Sequence, residues 1–431
     1  MKVAVIGMGY VGVPIAAALA DAGNKVVGID VLPEKIELIN KGKAPIGGKE
    51  PGLDDIVKRN VQRKRLRASM DYGECRTAKA VIVSVETPIN DKTKDANYRP
   101  LKAALRSLGA NLREKTLVSV ESTLAPGTME KIVKPILQHR SGMKVGRDFY
   151  LVHAPERVTA GKLLSNLRTL DRVIGANDPG SLRAALKLYS AVTKGELHPT
   201  NWVTSEIVKA AENAYWDVQI GFANEIALVC EDLGANAYEV RELVNSCPFR
   251  SMLFPGAGVG GPCIPKDPWL LVSATSQGKV SIIPAAREIN EFMPERLAQL
   301  AEEGLREAGR RIKGAKIAVL GFSYREETED TRNTPSVKVI RELRRKGADV
   351  VIHDPYAPSQ RGYHIVRDLN KAVRKADALV IVTGHRAYHK MDLAKIGRKM
   401  RRRVIVDGRN VFSQGLGGRR FIYRGLGKGD Y

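Results

Sequence analysis

The sequence predicts an α/β protein: two Rossmann-like, doubly wound parallel sheets joined by a central helical domain with a long helix. Three observations carry this reading. Short apolar strands alternate with helical stretches up to about residue 175 and again from residue 316, a pattern that implies parallel sheets. The segments KVAVIGMG (2–9) and KIAVLGFS (316–323) look like one design used twice. Between about Thr204 and Ser276 no strand pattern appears. The expected domains are 1–200, 201–300 and 301–431, in keeping with the length at which single cores stop growing.

In chain order, Val3–Ile6 reads as a strand, followed by Gly7-x-Gly9-x-x-Gly12 and a helix through Ala20. Residues 25–30 form a second strand that ends in Asp30, and further strands fall at Ala80–Val85, Leu117–Glu121 and Phe149–His153. A last strand near Arg172–Gly175 is expected to close the unit before Pro199. A long helix runs from Thr204 to a stop at Gly234, with Ile207, Val208, Ala211, Ala214, Val218 and Phe222 on one apolar stripe. The glycine- and proline-rich run FPGAGVGGPCIPKDP (254–268) interrupts the helical region, and another helix spans about Ala285 to Ala308. The second α/β unit has strands at KIAVLGF, DVVIHDP, ALVIVTG and RVIVDGRN, with a helix at Ser336–Lys346.

Seventy Lys and Arg against forty-seven Asp and Glu give a formal charge of +23, which raises nucleic acid as a partner. The basic residues are spread along the chain, and no basic block is interleaved with aromatics as a single-strand platform requires. The expectation is no nucleic acid, and a phosphate-bearing small substrate instead. No apolar run is long enough for a membrane span, and the N-terminus lacks a secretory pattern, so a soluble, cytoplasmic protein is expected. The cysteines Cys75, Cys230, Cys247 and Cys263 form no CxxC pair and no zinc spacing, so no metal is expected and any of them that matters does so by reactivity.

The glycine cluster has the full context of a dinucleotide fingerprint. Gly7 allows the tight turn, Gly9 lets a pyrophosphate approach backbone, and Gly12 lets helix and strand pack closely. Asp30, ending the second strand, suits a ribose with free hydroxyls and repels a 2′-phosphate, so NAD is favoured over NADP. Cys263 sits in GVGGPCIPKD (258–267), where glycines admit a ligand and Lys266 favours thiolate; the other three cysteines are assigned to packing. Lys209 and Asn213 share one helix face, either as a solvated edge or as an oxyanion and proton-transfer pair. Thr87, Ser122-Thr123 and Glu156-Arg157 each follow a strand at the end where open sheets bind ligands, with turn chemistry as the alternative for the first two and a structural ion pair for the third.

Together GMGYVG, EPGL, VETP, ESTLAPGT, APERV, IVKAAEN, GFANEIA, GVGGPCIPKDPW and LGFSYREETEDTRNTP resemble the UDP-glucose / UDP-N-acetylmannosamine dehydrogenase family over essentially the whole chain. The resemblance implies oxidation of a sugar C6 alcohol twice with NAD. Cys263 attacks the aldehyde to give a thiohemiacetal, a second oxidation leaves a thioester, and water releases the acid. Lys209 with Asn213 stabilises oxyanions and moves protons, Asp267 and Thr123 position water or assist proton transfer, and Glu156 stands beside the thioester. Tyr10, Val11, Asp30, Lys35, Thr87, Thr123 and Arg332 match cofactor contacts. Arg157, Val158, Lys209, Asn213, Arg250, Gly260, Tyr324, Arg325 and Arg409 match positions that hold the UDP-sugar. The family is dimeric or larger, and the long helix is the expected two-fold contact.

Within the family, ERVTAGK, GVGGPCIPKDPW and DRVIG are similar to the N-acetylhexosamine branch, while EPGL and the Lys266-Asp267 pair resemble the glucose branch. Pro262 and Ala160 depart from the N-acetylhexosamine pattern. The favoured substrate is UDP-N-acetyl-D-mannosamine, with UDP-glucose and UDP-N-acetylglucosamine as rivals. A two-electron dehydrogenase of the 6-phosphogluconate or 3-hydroxyacid kind, and a non-catalytic nucleotide-sensing or nucleic-acid-binding protein, are the alternatives from other classes. Residues 314–431 argue against the two-electron reading, which needs no second α/β domain.

Overall fold

Most strands of the first α/β unit form because runs of Val, Ile and Ala are buried on both faces, as a parallel sheet covered by helices demands. The structure is a computed structural model that describes all residues except 48–49, 91, 160, 276–278, 413–415, 417–420 and 430–431. Two compact units emerge: Met1–Glu212 with Lys266–Gly278, and Asn213–Pro265 with Lys279–Tyr431.

The first unit contains β1 (Lys2–Ile6), β2 (Lys25–Ile29), β3 (Leu66–Ser69), β4 (Ala80–Val83), β5 (Leu117–Val120), β6 (Tyr150–His153), β7 (Arg172–Ala176) and β8 (Leu197–Thr200). They make one sheet in the order β3-β2-β1-β4-β5-β6-β7-β8. Every neighbouring pair is parallel except β6 and β7, which are antiparallel. The chain reverses its direction of travel across the sheet at β1, between β2 and β4, the switch point where open sheets bind ligands. Two strands differ from expectation. β7 does not close the unit, because β8 pairs beyond it; its LHPT sequence has no apolar run, and Pro199 is tolerated at the sheet edge. β3 is a short strand of alternating burial that periodicity did not single out.

The second unit holds β9 (Lys316–Leu320), β10 (Asp349–His353), β11 (Ile365–Val366), β12 (Ala378–Ile381), β13 (Val404–Asp407) and β14 (Ile422–Gly425) in the order β11-β10-β9-β12-β13-β14, all parallel. Its core draws on the inward faces of these strands and on Met293, Leu297, Leu300 and Ala301 from the helix Ile282–Glu307. Pro294 lies inside that helix, and the backbone of Gly258 packs on it: a Cβ at Gly258 would come within 3.1 Å of Pro294 Cδ.

The helix Trp202–Leu233 is continuous, and Gly234 ends it at a φ of +72°. Its expected apolar stripe is divided: Ala214 is buried, Val208, Ala211 and Val218 are half-buried, and Ile207 and Phe222 are 44% and 51% exposed; Val203, Tyr215, Trp216, Val229 and Leu233 are exposed as well. The buried face combines Ala210, Ala214, Ala223 and Ala227 with Ser205, Glu206, Lys209, Asp217 and Asn224. These polar groups tolerate burial because each finds a partner. Asp217 takes the Arg287 guanidinium at 2.7 Å and Asn224 bonds Asn290 at 2.8 Å. Among the described residues no helix is long and apolar enough to cross a membrane.

Candidate active site

The fingerprint turn is held by sterics that only glycine satisfies. Gly7 has a φ of +92°, and a Cβ there would stand 2.8 Å from the Ser84 carbonyl oxygen. A Cβ at Gly12 would lie 1.8 Å from the Gly7 carbonyl oxygen, whereas Gly9 has nothing within 4 Å and leaves its backbone open. The following helix begins after Val11, which offers no side-chain cap, and its first turn carries no acid. Its leading N–H groups therefore suit an anion. Asp30 accepts from Met8 N–H at 2.8 Å and Leu32 N–H at 3.1 Å, and Lys35 Nζ stands 3.2 Å away. The Tyr10 hydroxyl donates to the Gly47 carbonyl at 2.9 Å. An open glycine, a bare helix start and an anchored strand-end carboxylate fit an NAD pyrophosphate and ribose. Gly12→Ala is expected to cost about 3 kcal/mol or more through overpacking against backbone and to abolish NAD binding, checked by thermal unfolding and NAD titration.

The loops after β4 and β5 are tied together. Thr87 Oγ1 donates to the Thr123 carbonyl at 2.7 Å, and Ser122 Oγ to the Val85 carbonyl at 2.6 Å. After β6, buried Glu156 accepts from Val158 N–H, and its other oxygen lies 4.0 Å from Lys209 Nζ. Lys209 is only 6% exposed, so it is no solvated edge. Arg157 pairs with Glu212 and donates to the Asp171 carbonyl at 3.3 Å. Asn213 follows Lys209 by one turn and is the first residue of the second unit. Asp267 is fully buried and takes the Lys266 ammonium, the charge expected to favour thiolate at Cys263.

In the second unit Cys263 is half-buried in its loop. The loop is fastened to residues 324–335. Gly261 N–H donates to the Arg332 carbonyl at 3.0 Å, and the Gly261 carbonyl accepts from Asn333 Nδ2 at 3.1 Å. A Cβ on Gly260 would meet Tyr324 Cβ at 2.6 Å, so only glycine allows this approach. The Arg332 guanidinium pairs with Asp330, and Arg325 is exposed. Arg409 donates to the Val382 carbonyl at 3.0 Å, and its guanidinium lies over Gly256, which has no side chain to displace it. Arg250 is exposed, beside the fully exposed Phe249. Cys75 and Cys230 are buried, and burial pushes the Cys75 thiol up to about 12, so both fit packing roles. Cys247 is exposed, which overturns its assignment to packing; an isolated cysteine after a helix carries no periodic signal of its side. Ala160 lies outside the described residues.

Beside Lys209 in the first unit lie two groups that carry no signal in the sequence. His153, at the end of β6, is fully buried; burial first, with the Lys209 charge also acting, lowers it to about 4. Glu206 is also fully buried; burial raises it to about 7 although the Gly127, Thr128 and Met129 N–H groups and Lys131 pull the other way. Their proton linkages oppose each other. Between pH 6.5, the ordinary histidine value, and about 4, its value in the fold, His153 must be charged on unfolding, so its contribution is lost as pH falls. Glu206, with a raised folded value, contributes stability below pH 4.5 that is lost as pH rises through about 7. Glu206→Gln therefore unmasks the histidine: acidification from pH 6.5 to 4 should cost that variant roughly 2–3 kcal/mol more than the parent, read by denaturant unfolding.

Comparisons with known proteins agree with this layout. Residues 1–193 match the UDP-glucose/GDP-mannose dehydrogenase family, NAD binding domain; residues 203–292 its central domain; and residues 318–414 its UDP binding domain. The chain is 39% identical over 430 residues to UDP-N-acetyl-D-mannosamine dehydrogenase of Pyrococcus horikoshii, covering 100% of both chains. The solved UDP-D-ManNAc dehydrogenase from Pyrococcus horikoshii superposes with a TM-score of 0.94 at 38% identity, covering 100% of both chains. The NDP-N-acetyl-D-galactosaminuronic acid dehydrogenase of Methanosarcina mazei superposes with a TM-score of 0.89 at 37% identity, covering 100% of this chain and 96% of that one. Glycine fingerprint, second α/β unit and full-length identity converge: the chain belongs to the UDP-glucose/GDP-mannose dehydrogenase family, whose first domain binds NAD.

Proposed function

We propose that this chain oxidises the C6 alcohol of UDP-N-acetyl-D-mannosamine to the uronate, through a thioester on Cys263. The observation that carries the reading is identity across the entire length of a UDP-N-acetyl-D-mannosamine dehydrogenase. In support, the half-buried thiol sits in a loop whose glycines leave room for a ligand. NAD, when bound, accepts the hydride removed in each of the two oxidations.

The protein's own groups do the rest. The Cys263 thiolate adds to the C6 aldehyde, forming a C–S bond and an oxyanion. Lys209, backed by Asn213, stabilises that oxyanion, and Glu156 sits 4.0 Å from the Lys209 ammonium as its counter-charge. After the second oxidation a water adds to the thioester, with Asp267 and Thr123 assisting proton transfer, and the C–S bond breaks to return the thiolate. Tethering keeps the aldehyde from escaping and divides one difficult step into easier ones. Tyr10, Val11, Asp30, Lys35, Thr87 and Arg332 are assigned to the cofactor. Arg157, Val158, Arg250, Gly260, Tyr324, Arg325 and Arg409 are assigned to the UDP-sugar. The corresponding domains are 1–200 for NAD, 201–300 for assembly and the cysteine loop, and 301–431 for UDP.

The protein is proposed to act in the cytoplasm as a dimer or larger assembly, with the exposed apolar row of the long helix as the contact. Sedimentation at micromolar concentration should show at least a dimer, and Phe222→Glu should yield monomers; a parent that sediments only as monomer contradicts the assembly. The activity is tested by supplying UDP-N-acetylmannosamine, UDP-N-acetylglucosamine and UDP-glucose side by side. The expected result is two NADH per sugar, fastest with the first. One NADH per sugar would indicate a two-electron enzyme, and preference for UDP-glucose would assign the chain to that rival.

A further inference from the structure

The loop that leaves β5 carries Thr123 and ends where the helix around Met129 begins. Each end of this loop is bound to the start of the Lys209 helix. At the near end, His153 Nε2 lies 3.2 Å from the Ser122 carbonyl oxygen, and Nδ1 lies 2.8 Å from Ser205 Oγ. A carbonyl only accepts, so Nε2 carries the proton, and the one proton of the Ser205 hydroxyl is shared between Nδ1 and the Trp202 carbonyl, 2.7 Å from Ser205 Oγ. At the far end, the two Glu206 oxygens accept from Gly127 N–H at 2.6 Å and Met129 N–H at 2.7 Å. Ser205 and Glu206 are adjacent, and Lys209 follows Ser205 by one helical turn. Thr123 is thus spanned by two anchors that share a single turn of the helix presenting the lysine.

We propose that His153 and Glu206 are positioning residues, which fix the Thr123 loop against the Lys209 helix at both of its ends. The inference rests on the roles given above to Thr123 and Lys209. Its physical basis is the sensitivity of rate to placement, since a shift of about 1 Å in a reacting group costs on the order of 100-fold. His153, Ser205 and Glu206 are all inaccessible to solvent, so no water replaces a lost contact cheaply. Neutrality of the imidazole, held down by burial and by the Lys209 charge, keeps a cation from competing with the lysine.

Paired substitutions separate positioning from mere packing. The amide nitrogen of Gln at 153 reproduces Nε2 and its donation to Ser122, whereas Asn reaches only the Ser205 side. His153→Asn should lower kcat about 10- to 100-fold with both KM values and NAD affinity within about threefold, while His153→Gln stays within about threefold of the parent. Glu206→Gln, which presents an amide N–H to one of two N–H donors, should show the same kcat-selective loss and serves as the second variant if His153→Asn does not fold. All rates are taken well below each variant's melting temperature. Equal kcat for His153→Asn and His153→Gln, or a parental kcat in Glu206→Gln, overturns the proposal. Lys209→Ala and Thr123→Ala run alongside: if these keep parental kcat, the underlying assignment fails, which is distinguishable from failure of the anchors alone.

Discussion

Cys263→Ser is expected to lower uronate formation by at least about 1,000-fold while NAD and UDP-sugar binding persist, because a serine hydroxyl is a far weaker nucleophile than a thiolate. The loss should fall on the second oxidation and on release of the acid, so a single-turnover experiment would show at most one NADH per site. Pre-steady-state absorbance, together with product analysis, measures this. The comparison thiol is Cys247, which is exposed and lies outside the glycine loop. Cys247→Ser should leave turnover within about twofold, since an exposed side chain away from the site contributes little. Parental uronate production by Cys263→Ser would remove the covalent route.

Arg287→Ala is expected to produce the largest loss of stability in the second unit. Arg287 is 2% exposed and holds Asp217 at 2.7 Å, and Asn290 also donates to the Asp217 side chain at 2.8 Å. Burial already raises the Asp217 carboxyl against the pull of Arg287. Removing the guanidinium leaves a buried carboxylate without its counter-charge, a change that costs about 3–5 kcal/mol. For a unit of this size that corresponds to a fall in melting temperature of about 10 °C. The loss should shrink at low pH, where Asp217 takes a proton. Arg287→Ala with a parental melting temperature would show that the pair is not needed to hold the two helices together.

How legible the molecule was in its sequence depended on what signal each element carried. β1, β2, β4, β5, β6, β9, β10, β12 and β13 are runs of Val, Ile, Leu and Ala bounded by glycine or polar residues, and burial on both faces writes such runs directly. β8 and β3 sit toward the sheet edges, need less apolar burial and left no comparable run. The long helix was legible in period but not in facing. An apolar row left exposed as a proposed contact with another chain has the same 3.6-residue signature as one facing a core. Its buried row mixes alanines with polar residues, so the larger apolar side chains mark the exposed side.

The glycines of the fingerprint and of the Cys263 loop were readable because their spacing states a backbone requirement, and the close approaches at Gly12 and Gly260 are of that kind. Lys209 and Glu156 stand out by helix spacing and by their place after a strand, their roles come from the resemblance, and the 4.0 Å separation of their charged ends depends on tertiary folding. His153 and Glu206 had no local signal at all. Each is one polar residue in an ordinary strand or helix pattern, and its partners are more than thirty residues away in the chain for Ser122, Gly127, Met129 and, for His153, Ser205.

The thioester itself is open to direct observation. Enzyme mixed with UDP-N-acetyl-D-mannosamine and NAD, quenched in acid during turnover and digested, should yield the peptide containing Cys263 with the added mass of a UDP-N-acetylmannosaminuronyl group, removable by hydroxylamine. Two NADH formed per sugar with the Cys263 peptide unmodified at every quench time would contradict the covalent mechanism.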